Sequence, residues 1–352
     1  MENTVAQYTS TTASASAVSK HLYSPVTRMP NKNDLARALV EFARLEKEVD
    51  AQDIHENERD VQVVLATGVK LQSWLASEVA NTSKWVRFEA CVQDGVTAEA
   101  IDDSTKCDII IIKVVGKPHQ QAVGEIFKRI GIYAEEECND IFRAGGGRER
   151  FTINAAGNTS LREPDVTLTM GANHVPTIIV EFEDKNRSLV KLNQWCRGFF
   201  HTPGVRQVIG IKMYPPNSNG MVAALAIQYG YNNAGLVDII DVVSFGQRDV
   251  VRQHMPLTIW NRIRFLDIPT QRQITTRRSP WPTPTLAQAE ILARLNPLPS
   301  LAEAQERERR RVGFLTLSRA ECVYSVNPIP LAAAGNNLQL NLFRILFQFL
   351  EQ

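Results

Sequence analysis

Four charged residues between Pro164 and Lys185 have the types and the spacing of a metal-dependent catalytic site. The segment PDVTLTMGANHVPTIIVEFEDK contains Asp165, Glu181, Glu183 and Lys185. Hydrolysis of a phosphodiester with a divalent cation needs carboxylates that converge on one metal ion, together with a cation near the attacked phosphate or the attacking water. These four residues supply those groups, so they predict this chemistry.

A strand and a hairpin would position these groups. Alternate residues of a strand share a face, so Glu181, Glu183 and Lys185 are expected to point the same way. The apolar run TIIV precedes them, so the charges are expected to emerge at the end of a buried strand, where open α/β sheets place ligand sites. A turn at MGAN predicts a hairpin that brings Asp165 alongside Glu181. The alternative is that EFEDKNR is the polar end of a strand with no site.

The surrounding pattern predicts an α/β fold. The run IIIIKVV after Asp108 is typical of a buried strand, and a helix follows it from about Pro118. Beyond the charged segment, a helix over 189–200 is followed by three apolar strands, over 207–213, 222–228 and 237–243. This order predicts a mixed central sheet flanked by helices.

Composition shifts divide the chain into four parts. We expect a disordered Ser/Thr-rich tail over 1–28 and a helical N-terminal region over 29–104. A core domain is expected over 105–270, followed by a Pro-rich linker and a helical C-terminal tail over 271–352. Within the N-terminal region, helices are predicted over 33–49 and 61–79, and a strand over 84–91. In the C-terminal part, a short helix is predicted over 286–295.

The bulk composition is that of an ordinary globular protein. The chain has 352 residues, of which 44% are hydrophobic and 22% charged, and 39 basic against 38 acidic residues give a formal charge of +1. This balance argues against a long non-specific nucleic-acid arm, but leaves room for local positive potential. Five scattered cysteines with no CxxC pair are expected to be reduced thiols.

Localisation is predicted from two patterns. The first twenty residues lack the basic and apolar regions of a secretory signal. No apolar run approaches the ~20 residues that a membrane-spanning helix requires. We therefore expect an intracellular protein, cytoplasmic or nuclear, with no membrane partner.

Three parts of the charged region resemble the restriction-endonuclease-like, or PD-(D/E)xK, nuclease superfamily. They are Pro164-Asp165, the strand from Pro176 to Phe182, and the helix from Leu192 to Trp195 that leads into GVRQVIGIKM. The likeness is strongest to uncharacterised fungal and oomycete families and weaker to bacterial families of predicted restriction endonucleases. It covers about residues 108 to 245, and it implies a restriction-endonuclease-like core with helical additions at both ends.

The resemblance also implies a set of roles. Asp165 and Glu181 would be ligands for Mg²⁺ or Mn²⁺, and Glu125 on the preceding helix would be a further acidic ligand. The implied activity is hydrolysis of phosphodiester bonds, with nucleic acid, most simply DNA, as the partner. A homodimer is retained as an alternative to a monomer.

The chain departs from the family pattern at the lysine. Glu183 stands where the E-x-K motif has its lysine. Either Glu183-Asp184-Lys185 is the tripeptide, or the role has moved to Lys185 or to Lys191 on the next helix. Loss of the lysine would leave metal binding but weaken catalysis. Two alternatives to a nuclease therefore stay open: a catalytically inactive domain that binds nucleic acid or protein, such as an effector, and a structural protein without a metal.

Two other residues have both a structural and a functional interpretation. His119 could contact phosphate or cap the helix that begins near it, and the structural role is favoured. Trp195 lies on an apolar helix face, which favours a place in the core over a base-stacking role.

Overall fold

A computed structural model of the protein describes residues 23–51, 61–82, 85–92, 96, 100–138, 142–146, 151–155, 158–170, 175–185, 187–252, 255–266, 314–322 and 337–350. They form a mixed α/β structure whose seven-stranded mixed sheet is flanked by helices, so the predicted fold class is confirmed at that level. Within these ranges, no helix is both long and apolar enough to cross a membrane.

Helices and strands alternate irregularly along the chain. In order they are α1 (Lys32–Ala51), β1 (Val63–Lys70), α2 (Leu71–Leu75), α3 (Glu78–Thr82), β2 (Val86–Val92), β3 (Lys106–Val114), α4 (Lys117–Cys138), β4 (Phe142–Gly145), β5 (Phe151–Ala155), β6 (Asn158–Arg162), β7 (Val166–Met170), β8 (Val175–Glu183), α5 (Leu189–Gly198), β9 (Gln207–Met213), β10 (Ala223–Tyr231), β11 (Val237–Gly246), α6 (Leu257–Trp260), β12 (Ile263–Phe265), β13 (Phe314–Leu317), α7 (Arg319–Cys322), β14 (Leu338–Asn341) and α8 (Leu342–Leu350).

A five-stranded sheet forms from the N-terminal part of the chain. Its strand order is β1-β3-β2-β6-β5, and every neighbouring pair is antiparallel. Helix α1 packs against β1 and buries Phe42 together with Leu65, Trp74 and Ile109. Strand β3 lies inside this sheet, and its C-terminal end carries Lys113 towards the second sheet.

The second sheet has seven strands in the order β12-β11-β10-β9-β8-β7-β4. The pairs β8/β9 and β11/β12 are parallel, and the other pairs are antiparallel. Alternation along β8 separates its two faces: Val180 and Phe182 pack with α4, whereas Ile179 packs with α5. Glu181 and Glu183 therefore lie on the α5 face.

The C-terminal segment closes the other face of this sheet. Helix α8 packs on α4 and buries Leu342, Ile345 and Leu346 in the same cluster as Phe182. The ring of Phe349 lies 5.8 Å from that of Phe182. The described C-terminal residues are thus part of the main core, and the antiparallel strand pair β13/β14 precedes α8.

The helix predicted over 61–79 is wrong, and the N-terminal region is not purely helical. Residues 63–70 form β1, because Val63 and its neighbours pair with the isoleucines of β3, and only two short helices follow. The helix predicted over 33–49 and the strands predicted over 84–91 and from 108 are confirmed. So are the helix over 189–200 and the three strands after it. The first 22 residues, the Pro-rich linker and the helix predicted over 286–295 lie outside the described residues.

The end of β11 depends on a glycine. Gly246 has φ +135°, and a Cβ built on it would lie 2.6 Å from the carbonyl oxygen of Val222. We expect Gly246→Ala to lower the free energy of unfolding by about 2 to 3 kcal/mol, because strained backbone and steric overlap add. The control is Gly235→Ala: Gly235 also has positive φ, +73°, but nothing lies within 4 Å of its Cβ position. Urea denaturation of both variants measures the difference, and equal losses would contradict the prediction.

Candidate functional site

The hairpin β7/β8 places Asp165 beside Glu181. Val166 pairs with Val180 in antiparallel register, so Asp165, the residue before β7, stands opposite Glu181. The backbone N–H of Phe182 donates a hydrogen bond to Asp165 Oδ2 at 2.9 Å. The hairpin predicted from the turn residues therefore forms, and it fixes the Asp165 carboxylate against the end of β8.

Glu181 and Glu183 share a face of β8, but both are buried, with 2% and 0% of their surfaces exposed. The expectation that these charges emerge from the strand end is wrong, because both side chains are enclosed and pair with a cation from the segment after β8. From this segment Arg187 brings its guanidinium Nη1 to 3.6 Å from Glu181 Oε2 and 3.3 Å from Glu183 Oε2. The backbone N–H of Lys185 also donates to Glu183 Oε1 at 3.1 Å.

Lys113 supplies a cation that the motif lacks. Its ammonium lies 3.0 Å from Asp165 Oδ2 and 3.9 Å from Glu183 Oε2, and it donates a hydrogen bond to the carbonyl of Phe182. The side chain is 2% exposed. Its one signal in the sequence is a lysine inside the apolar run IIIIKVV. A buried lysine needs a carboxylate partner, but the sequence does not indicate which one.

His119 connects two carboxylates. Its Nε2 lies 3.3 Å from Asp165 Oδ1 and its Nδ1 lies 3.1 Å from Asp184 Oδ1, while its ring packs edge-on against Phe182. Ionised carboxylates only accept hydrogen bonds, so the imidazolium form, with a proton on each ring nitrogen, is the form of His119 that suits two ionised neighbours. His119 lies in the first turn of α4, as expected, but it acts there as a buried cation.

Trp195 holds two arginines. The guanidinium carbons of Arg162 and Arg187 each lie 3.9 Å from the centre of the Trp195 ring. Arg162 also donates to Glu89 Oε1 at 2.9 Å, which ties the stack to the five-stranded sheet. The prediction that Trp195 belongs to the core is confirmed, since it is buried on α5. Its face additionally orients Arg187 towards the two glutamates.

Lys212 is a second buried lysine of this centre. It pairs with Glu183 across the parallel strands β8 and β9, and its ammonium donates to the carbonyl of Arg187 at 2.6 Å. It lies in GVRQVIGIKM, and no pattern in the sequence had indicated a role for it. The nearby Gly210 leaves room for α5, because a Cβ there would lie 2.9 Å from Cys196 Sγ.

Burial and neighbouring charges shift the pKa values in opposite directions. Burial alone would raise the pKa of Asp165 and of Glu183, but Lys113 and the other nearby cations lower both below their usual range. For Glu181, burial and the charge of Asp165 raise the pKa to about 7. Burial and Lys113 lower the pKa of His119, but the charge of Asp165 and the hydrogen bonds to Asp165 and Asp184 outweigh them and raise it.

The other predicted site residues lie elsewhere. The Lys185 side chain is exposed, because β8 ends at Glu183 and the alternation that would have placed it beside the glutamates ends there. Glu125 is buried on α4, but its Oε1 lies 3.1 Å from Arg129 and 3.2 Å from Arg344. Lys191 is exposed in the first turn of α5, where its backbone N–H is capped by Ser188 Oγ at 3.2 Å.

The carboxylates do not fit a divalent metal ion in this arrangement. Both oxygens of Asp165 already accept hydrogen bonds, from Lys113 and Phe182 on one side and from His119 on the other. Glu125 is paired with arginines instead. In the part of the chain that the structure describes, no three His, Cys, Asp or Glu side chains are grouped so that they could hold a metal ion.

The fold and this centre define an α/β protein with a buried, ion-paired carboxylate cluster. No family model matches the chain, and no curated protein is significantly similar to it.

The pKa shifts predict a stability maximum on the acid side of neutrality. Between its ordinary pKa of 4.5 and about 7, Glu181 keeps a proton in the folded state that it has lost in the unfolded state, so stability falls as pH rises through this window. His119, with a raised pKa, adds stability at low pH that is lost as pH rises through its folded pKa. The lowered pKa values of Asp165, Glu183 and Asp184 remove stability as pH falls below their ordinary values near 4.

Urea denaturation from pH 4 to pH 9 tests this balance. We expect the largest free energy of unfolding between about pH 4.5 and 6.5. In Glu181→Gln the decline between pH 4.5 and 7 becomes shallower, because the substituted amide does not titrate. A maximum above pH 7, or a profile that Glu181→Gln leaves unchanged, would show that Glu181 does not have a raised pKa.

Proposed function

We propose that this protein is a restriction-endonuclease-like domain that binds nucleic acid and does not hydrolyse it at the carboxylate centre. The observation that carries this proposal is the position of Lys113. Its ammonium lies 3.0 Å from Asp165 Oδ2 and donates a hydrogen bond to the carbonyl of Phe182. The carboxylates that would hold a metal ion are thereby neutralised by the chain itself.

The order of elements supports the class. Helix α4 precedes the hairpin β7/β8, which begins at Pro164-Asp165, and α5 with Trp195 then leads into β9, parallel to β8. This is the helix, hairpin, helix and strand order on which the resemblance rests. The expected E-x-K lysine is absent from β8, and the buried cations come from β3, α4, β9 and the loop after β8.

Charge and burial support the absence of hydrolysis. Four carboxyl groups, on Asp165, Glu181, Glu183 and Asp184, face five cationic groups, on Lys113, His119, Arg187, Lys212 and Arg87. Asp165, Glu181 and Glu183 are each at most 3% exposed, so a phosphate cannot reach them without rearrangement of the surrounding loops. Removing one partner of such a cluster leaves an uncompensated buried charge, so the ion pairs hold these side chains in place.

The surface around this centre has groups that suit a nucleic acid. Trp85 is 53% exposed, and its carbonyl accepts a hydrogen bond from Val115, two residues before the exposed Lys117. Lys117 and His119 both lie in the first turn of α4, and His119 contacts Asp184. The exposed Lys185, next in the chain after Asp184, therefore lies near this end of α4. Lysines bind phosphates, and an exposed indole stacks on an unpaired base.

Charge reversal on this surface tests nucleic-acid binding. We expect Lys117→Glu and Lys185→Glu each to weaken binding of a single-stranded oligonucleotide roughly five-fold or more. Each change should also reduce the slope of log affinity against log salt concentration by about one. The matched control is Lys106→Glu, at the other end of β3, roughly 24 Å from Lys113 along the strand. Fluorescence anisotropy at several salt concentrations measures both quantities. Equal effects in all three variants would place the binding surface elsewhere.

A second candidate function is metal-dependent phosphodiester hydrolysis at this centre. The observation that favours it is Glu181, which is buried opposite Asp165 and whose pKa is raised to about 7 by burial and by the charge of Asp165. Buried carboxyl groups with strongly shifted pKa values cluster at reactive sites.

One assay separates the two candidates. Plasmid is incubated with the protein in Mg²⁺ or Mn²⁺, beside the Asp165→Asn and Glu181→Gln variants. The proposal expects binding without cleavage in all three proteins. Cleavage by the wild type that both variants lose would establish the nuclease and overturn the proposal.

A further inference from the structure

We propose that the Lys113 ammonium is a resident substitute for a divalent cation, and that shortening this side chain converts the centre into a site for Mn²⁺ or a similar oxygen-binding ion. The inference rests on the proposed function, since it requires a wild-type centre that holds no metal ion.

Oxygen atoms from three residues surround the ammonium. Asp165 Oδ2 lies 3.0 Å away, the carbonyl oxygen of Phe182 accepts a hydrogen bond from it, and Glu183 Oε2 lies 3.9 Å away. Two carboxylates and a backbone carbonyl are the ligand types that hard divalent cations prefer. The amino group thus lies where such an ion would bind, and it excludes the ion by charge and by volume.

The raised pKa of Glu181 indicates that the ammonium of Lys113 does not neutralise every carboxyl group of the centre. The Glu181 carboxyl group is buried, with Arg187 at 3.6 Å and the Trp195 side chain beside it, and burial together with the charge of Asp165 still raises its pKa to about 7. An ammonium has three donors, whereas a divalent ion accepts six or more oxygen ligands. An ion in place of the ammonium can therefore bind more oxygen atoms than the three that surround Lys113.

Truncation at position 113 removes one charge and opens a space. In Lys113→Ala the carboxylates of Asp165 and Glu183 lose their shared partner, and most of the volume of the lysine side chain is left empty. His119 still faces Asp165 and Arg187 still faces Glu183, but the one cation shared by both carboxylates is gone. Loss of a partner from a buried ion-paired cluster is unfavourable, so the variant gains affinity for a cation of suitable size. Ions with flexible coordination, such as Mn²⁺ and Ca²⁺, are favoured over Mg²⁺, which requires nearly ideal octahedral geometry.

The experiment compares the full-length wild type with Lys113→Ala in EDTA and in 1 mM MnCl₂. We expect Mn²⁺ to raise the melting temperature of Lys113→Ala by at least about 3 °C and to leave the wild type unchanged. Isothermal titration with MnCl₂ is expected to show one site in the variant and none in the wild type. Lys113→Ala/Asp165→Asn removes one oxygen ligand and is expected to lose the Mn²⁺ effect.

Each result supports or overturns the inference. A folded Lys113→Ala that does not respond to Mn²⁺ or Ca²⁺ overturns it, and so does Mn²⁺ binding at this centre in the wild type. If Lys113→Ala does not fold in EDTA, refolding in MnCl₂ replaces the melting assay, and Lys113→Gln, which keeps a polar group near Asp165, is tested beside it. Failure of both variants to recover with either ion overturns the inference. If the wild type does not bind the oligonucleotide, the proposed function is rejected, whereas the inference about Lys113 is unaffected.

Discussion

Replacing Lys113 with methionine is expected to lower the free energy of unfolding by about 3 to 5 kcal/mol, the usual penalty for removing one partner of a buried ion pair. Methionine preserves most of the aliphatic volume, so little of this loss comes from a cavity. The loss arises because Asp165 and Glu183 keep their negative charges in the interior without the ammonium between them. Urea denaturation at pH 7 measures it.

A double-mutant cycle separates the charge effect from packing. In Lys113→Met/Asp165→Asn one negative charge is removed together with the positive one, so the double variant is expected to be more stable than the sum of the single losses predicts. The destabilisation by Lys113→Met should also shrink towards pH 5, where carboxyl groups that have lost their cation take up protons. A loss that is independent of pH and additive with Asp165→Asn would show that Lys113 contributes packing rather than charge.

The local features of this centre could be predicted from the sequence. The turn at MGAN and the alternation in TIIVEFE predict a hairpin with Glu181 and Glu183 on one face, and the structure contains both features. These features depend on residues within about one strand length of each other. Short-range patterning therefore defines the carboxyl side of the centre.

The cationic side could not be predicted in the same way. Lys113 is 52 positions from Asp165, and His119 is 46 positions away, so their partners depend on how β3 and α4 pack on the second sheet. The helix predicted over 61–79 was wrong for a related reason, because pairing of β1 with β3 outweighs a helical periodicity. Lys185 is two residues after Glu183, so in a continuing strand it would lie on the same face. Side chains alternate only within the strand, however, and β8 ends at Glu183.

Asp165→Ala is expected to be the most damaging change among the carboxylates. Asp165 accepts hydrogen bonds from the ammonium of Lys113, from the N–H of Phe182 and from His119, so its removal leaves three buried donors without this acceptor. We expect a loss of about 3 kcal/mol or more in the free energy of unfolding. Asp165→Asn keeps one oxygen for Phe182 and is expected to lose less.

The consequence for His119 provides a specific readout. In Asp165→Asn the imidazole loses one of its two carboxylates, while burial and Lys113 still favour the neutral ring, so the pKa of His119 falls. Titration of the imidazole signals by NMR measures this change, with the exposed His201 as an internal reference. An unchanged pKa of His119 would mean that Asp184 alone holds the imidazolium.

Oligonucleotide affinity completes the test of Asp165. This carboxylate is buried, so Asp165→Asn is expected to bind within about two-fold of the wild type at a temperature where both are folded, since substitutions that leave the contact surface intact change binding little. Lys185→Glu should show the opposite behaviour, with weaker binding and nearly unchanged stability, because its side chain is exposed. Such a separation would indicate that the buried ion pairs stabilise the fold while the lysines around them bind the ligand. If Asp165→Asn instead lost binding while folded, the carboxylate centre itself would have to contact the nucleic acid.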